Sequence, residues 1–216
     1  MLNSAQTYMS MKHFKKDSRK AFTLIELLVV IAIIAILSIV VVLTINPAEL
    51  LRQSRDSTRI SDLSTLRSAL SLYLVDSPNP NLASSSAGYG SCYLSTIIGV
   101  GTTSAKCGVF AGTYASDVST TPVLFRKNDS TGWIPVQFSQ ITLGTPLASL
   151  PVDPTNNSNF YYAYAATTSN GAYYFELDTM MESKKYGAGG SNDIVTTDGG
   201  DNNTAYEVGN RPGLNL

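Results

Sequence analysis

Residues 22–45, FTLIELLVVIAIIAILSIVVVLTI, run for 24 positions in which Thr23, Glu26, Ser38 and Thr44 are polar and Glu26 alone is charged. A helix of that length reaches about 36 Å, more than the roughly 30 Å of a hydrocarbon core. The run therefore predicts a membrane-spanning helix. Just ahead of it, KHFKKDSRK carries Lys12, Lys15, Lys16, Arg19 and Lys20 against Asp17. A basic flank of this kind stays cytoplasmic, which directs the rest of the chain outward.

An ordinary secretory signal has a shorter apolar region followed by a small residue at the cleavage site. Here the small residue, Ala21, precedes the apolar run. Cutting there would discard the charged leader and keep the helix. With that inversion, RKAFTLIELLVVIAIIAIL resembles the prepilin signal of type IV pilins and type II secretion pseudopilins. The resemblance implies leader cleavage between Ala21 and Phe22, N-methylation of Phe22, and a subunit-aligning role for Glu26. Ala21 stands where the family most often has Gly. The implied fold is α+β and pilin-like: a long N-terminal helix, membrane-spanning then amphipathic, packed on a small antiparallel β-sheet.

A carboxylate in a membrane helix costs about 2.5–3.5 kcal/mol near the bilayer centre, so it is usually paired or functional. Cleavage would create an amine on Phe22, four residues before Glu26. The carboxylate could meet its own amine or a neighbouring subunit's, and the second pairing would fix an axial stagger. Without the motif, Glu26 would read as a side chain snorkelling at the helix end.

Asn46-Pro47-Ala48-Glu49 reads as a new helix start, with Pro at the first helical position and a break before it. Over residues 46–76, Ile60, Leu63, Leu66, Leu70 and Tyr73 recur at spacings of three and four. Arg52, Arg55, Asp56, Arg59, Asp62 and Arg67 fall mostly off that stripe, as on a solvated face. Asp76-Ser77-Pro78-Asn79-Pro80 stops the helix.

The remainder divides into an αβ-loop at 77–121, a β-sheet at 122–186 and a C-terminal loop at 187–216. Cys92 and Cys107 both lie in the αβ-loop. Outside the cytoplasm they are expected to form a structural disulfide, since no His or further Cys accompanies them as metal ligands. Candidate strands are 122–126, 133–138 (an edge, because of Pro135), 160–165 and 172–178, the last two flanking Asn170-Gly171. Phe160, Tyr162 and Tyr164 share one face, and Tyr173, Phe175 and Leu177 make a matching alternation. In the glycine-rich acidic tail, Asp193, Asp198 and Asp201 offer hard oxygen ligands for calcium, the one cofactor the sequence suggests. Major secretion pseudopilins carry a calcium loop in this region, which the resemblance extends to this tail. Gly209 stands where an EF-hand would need its bidentate glutamate, and a solvated loop is the alternative.

His13 is the single histidine, so the processed chain would have none and no imidazole chemistry. Removing residues 1–21 takes away five basic side chains and one acidic one, leaving a side-chain sum of −5. That balance disfavours nucleic acid as a partner. No phosphate-binding glycine loop and no nucleophile elbow is present. The expectation is a non-enzymatic filament subunit that pairs with itself. By resemblance it also needs a prepilin peptidase, a platform membrane protein and an assembly ATPase. It would begin as a single-pass cytoplasmic-membrane protein, N-terminus inside, and end in an extracellular or periplasmic filament. A pseudopilin of a secretion or DNA-uptake machine is the near alternative; a membrane-anchored binding protein or enzyme is the distant one.

Overall fold

The computed structural model describes residues 22–83, 89–96, 117–118 and 123–211. The chain divides into two compact units, residues 1–46 and 47–216. Ala21 and Cys107 lie outside the described residues.

Among the described residues, the first unit contains helix α1, Leu24–Ile45. Over Leu24–Val42 its mean hydropathy is 3.3, long and apolar enough to cross a membrane. Its polar hydroxyls are satisfied within the helix: Ser38 donates to the Ile34 carbonyl at 2.7 Å and Thr44 to the Val40 carbonyl at 3.0 Å. In lipid, where no water can substitute, such internal bonding is required. Asn46 ends α1 in the left-handed region, φ 46°, which asparagine tolerates better than most residues.

The second unit opens with α2, Pro47–Asp76, a helix of 30 residues ending where the Asp-Ser-Pro sequence stops it. Pro47 occupies the first turn, where its missing N–H costs nothing. The strands are β1 (Cys92–Leu94), β2 (Asp117–Val118), β3 (Tyr162–Ser169), β4 (Ala172–Thr179) and β5 (Tyr206–Gly209). Their order is β2-β1-β3-β4-β5, antiparallel throughout except for the β1–β2 pair. β3 and β4 join through Asn170-Gly171, both at positive φ (51° and 80°), the two-residue turn whose twist suits a hairpin.

One sheet face packs on α2. Leu63, Leu66, Leu70 and Tyr73 share a core with Tyr162, Tyr164, Phe175, Leu177 and Val208. Segment 123–150 closes this core with Phe125, Trp133, Val136 and Phe138. Trp133 is fully buried, and its indole N–H donates to the Pro151 carbonyl at 2.8 Å. The opposite face is also buried, around the smaller Cys92, Leu94, Ala163, Ala165 and Ala205. The expected tyrosine alternation is present, with Tyr164 opposite Leu177 and Ala166 opposite Phe175.

Three expectations are corrected. Residues 123–126 form a turn, and 133–138 is an irregular segment entering a short 3₁₀ turn at Phe138–Gln140. Residues 132–136 are all buried, without the period-two alternation of a strand, and Pro135 lacks a ladder donor. The β-sheet extends outside 122–186, because β1 and β2 come from the αβ-loop and β5 from the C-terminal loop. The buried face of α2 includes Asp56 and Arg59, whereas Ile60 is half-buried.

Candidate functional site

Phe22 is exposed and is followed at once by the cap of α1. Thr23 and Glu26 form a reciprocal capping box. The Thr23 backbone N–H and hydroxyl donate to Glu26 Oε2 at 2.7 and 2.9 Å, and the Glu26 N–H donates to Thr23 Oγ1 at 3.3 Å. Two otherwise orphaned N–H groups are thereby satisfied, and a negative charge sits at the positive end of the helix dipole. The carboxylate is turned back toward the chain start, one residue from the nitrogen that cleavage before Phe22 would convert to an amine. Among the described side chains, the other large ones of α1, from Leu24 to Ile45, are apolar and exposed.

A buried ionic cluster fixes α2 to the loops of the second unit. Arg59 Nε and Nη2 donate to Asp153 at 2.6 and 2.9 Å, Nη1 donates to Asp56 at 2.7 Å, and Nη2 also reaches Glu182 at 2.6 Å. The guanidinium lies 5.0 Å from the Phe160 ring centre. Asp56 accepts the backbone N–H groups of Glu182 and Ser183 at 3.0 and 2.7 Å. Asp153 accepts those of Thr155 and Asn156, holding the proline-bounded turn before β3. Arg55 adds a second guanidinium on Glu182. The Arg55 hydrogen bond, opposed by burial and reinforced by Arg59, holds the Glu182 carboxyl down at about 2.

A second acidic group lies on the other face of the sheet. Glu176 and Asp178, two apart on β4, share that face, and Asp178 pairs directly with Glu207 on β5. Carboxylate oxygens of the three approach within 4.8 Å of one another, and all three residues are buried. Among the described residues no hydrogen-bond partner reaches Asp178 Oδ1 or Oδ2, Glu176 Oε2 or Glu207 Oε1. Burial first, then repulsion from Glu176 and Glu207, pushes the Asp178 carboxyl well up; burial likewise raises Glu176 and Glu207.

The tail aspartates take different places. The Asp193 carboxylate closes its own loop, accepting N–H groups from Gly189, Val195 and Thr196 and the Thr196 hydroxyl. These bonds, the Thr196 N–H foremost, hold it down at about 2. Asp198 accepts the N–H groups of Gly200 and Glu207, and with Asp201 it adds repulsion to the buried acids. Cys92 is buried on β1. Sequence reading missed Glu176, Asp178 and Glu207. The available signal was three acids at inward-compatible positions of Phe-Glu-Leu-Asp and Tyr-Glu-Val, which alternation alone reads as a solvated face.

Residues 16–42 match the prokaryotic N-terminal methylation motif, the prepilin-type motif of type IV pilins and pseudopilins. The chain thus carries the signal of a pilin- or pseudopilin-type precursor, and with α1 it is a membrane-anchored protein. The motif implies a prepilin peptidase and pilus-type assembly machinery in general. No curated protein and no solved structure matches the chain.

Proposed function

We propose that this chain is a structural subunit of a type IV pilus-like filament and not an enzyme. It is inserted as a prepilin with its N-terminus in the cytoplasm, cut between Ala21 and Phe22, methylated on Phe22, and assembled through α1. Its partners are copies of itself, the prepilin peptidase, a platform membrane protein and an assembly ATPase. The finished filament is extracellular or periplasmic.

The observation that carries this reading is the position of Glu26, the one charge on an otherwise apolar helix, turned toward the future amine. Lipid is as apolar as α1, so burial alone gives little reason to leave it; close packing and polar pairing must favour the filament. In a single subunit Glu26 caps its own helix through neutral donors. A neighbour's charged amine is a stronger donor, and exchanging one for the other couples assembly to register. Pairing of Cys92 with Cys107 would tie β1 to the segment that follows it.

Co-expression with a prepilin peptidase tests this. Intact-mass measurement should show loss of residues 1–21 and one added methyl group, with filaments visible by electron microscopy. Glu26→Ala should remain in the membrane fraction without filaments. An unprocessed chain, or a Glu26→Ala variant that polymerises like the parent, would overturn the reading.

A further inference from the structure

Beyond filament assembly, the sheet carries a buried group of carboxylates with unpartnered oxygens. Asp178 is fully buried, neither of its carboxylate oxygens has a hydrogen-bond partner, and its carboxylate lies within 4.8 Å of those of Glu176 and Glu207. Its cross-strand partner is another acid, Glu207, and like charges directly opposite on a sheet destabilise the pair. Glu176 adds a third acid on the same face, again with an unpartnered oxygen. The apolar residues around that face, Cys92, Leu94, Ala163, Ala165 and Ala205, provide no side-chain cation. Arg59, fully buried, is already bound to Asp56, Asp153 and Glu182. Among the described residues no Lys or Arg forms an ion pair with the three acids.

The turn after Asp198 is fitted to this group. A Cβ on Gly200 would lie 1.7 Å from Glu207 Oε2, so only glycine lets the turn close over that carboxylate. Asn202 donates its N–H to the same oxygen at 3.0 Å, while Oε1 has no hydrogen-bond partner.

We propose that Glu176, Asp178 and Glu207 bind one calcium ion on the face of β4 and β5 opposite the α2-packed core. An all-carboxylate donor set selects a hard cation over zinc or copper. Two oxygens on one calcium lie at most about 4.6–5.2 Å apart, twice the usual bond length, and the cluster falls within that span. Magnesium retains several waters and demands a near-ideal octahedron, which suits a fully buried carboxylate group less well. The ion supplies the positive charge that the surrounding side chains do not, and it joins β4 to β5 and the tail.

The full chain in detergent, stripped with EGTA and returned to calcium, tests the site. Elemental analysis after equilibrium dialysis should find one calcium per chain. At free calcium a hundredfold above Kd the melting temperature should rise by about 5–10 °C, with a smaller rise in magnesium. Asp178→Asn keeps the shape and removes a repelling charge. It should melt higher than the parent in EGTA and lose the calcium response, while Asp129→Asn, remote from the cluster, keeps that response. Absence of bound calcium in the parent, or a calcium response that survives Asp178→Asn, would overturn the proposal.

Discussion

Arg59 grips Asp153 side-on, Nε to Oδ2 at 2.6 Å and Nη2 to Oδ1 at 2.9 Å, with neither side chain exposed. The pair joins the fourth turn of α2 to the turn that launches β3. Removing one member of a buried pair strands the other, at about 3–5 kcal/mol. Arg59→Ala would remove the guanidinium shared by Asp56, Asp153 and Glu182, leaving Arg55 on Glu182 and backbone N–H groups on the other two, so urea denaturation should show a loss within that range. Arg59→Lys should recover little of it, because a single ammonium cannot reproduce the side-on fork. A loss below about 1 kcal/mol in Arg59→Ala would show that the cluster is not what holds α2.

Glu182 makes the same cluster sensitive to acid. It faces Arg55, Arg59 and Asp56 from α2 and Thr155 from the turn before β3. Its folded-state carboxyl is lowered from 4.5 to about 2. A lowered acid binds its proton more weakly when folded, so its contribution is complete above the unfolded value and fades as pH falls from about 5 toward 2. Glu182→Gln should therefore be less stable than the parent at pH 7, with the gap narrowing across that interval. Thermal melts of the two proteins from pH 7 to pH 3 measure it; a constant gap would refute the assignment.

Gly200 is required by contact. A methyl there would displace the Glu207 carboxylate, which is buried and bonded to the Asn202 N–H. Gly200→Ala should cost about 1–3 kcal/mol, the range for forcing extra atoms into a packed site. Gly187→Ala offers a comparison without positive φ, where the one atom near the added Cβ is the Ser183 carbonyl oxygen at 3.2 Å. Denaturation midpoints should rank Gly200→Ala as the more destabilised; equal midpoints would show that Glu207 can move aside.

The features legible in the sequence were those set by local spacing. The apolar run gives α1, the Leu63–Tyr73 stripe gives the packed face of α2, and Asn170-Gly171 between alternating aromatics gives the β3–β4 hairpin. What local spacing concealed was charge in the interior. Asp56 and Arg59 look like a solvated face because their partners lie far along the chain; Asp153 and Glu182 are 94 and 123 residues from Arg59. Glu176 and Asp178 look outward because alternation assumes one wet face, whereas this sheet is covered on both. β5 was too short to stand out, and its inward glutamate acquires meaning from Asp178 across the ladder.

Ser38 and Thr44 hand their hydroxyls to their own helix, which leaves Glu26 as the one other polar side chain of α1. Two such rods laid side by side could slide past each other by a turn and find nearly the same grease at every stop. A single acid near the tip turns that featureless slope into one with a notch, so the length of a repeat would be written by one side chain and not by the two dozen around it.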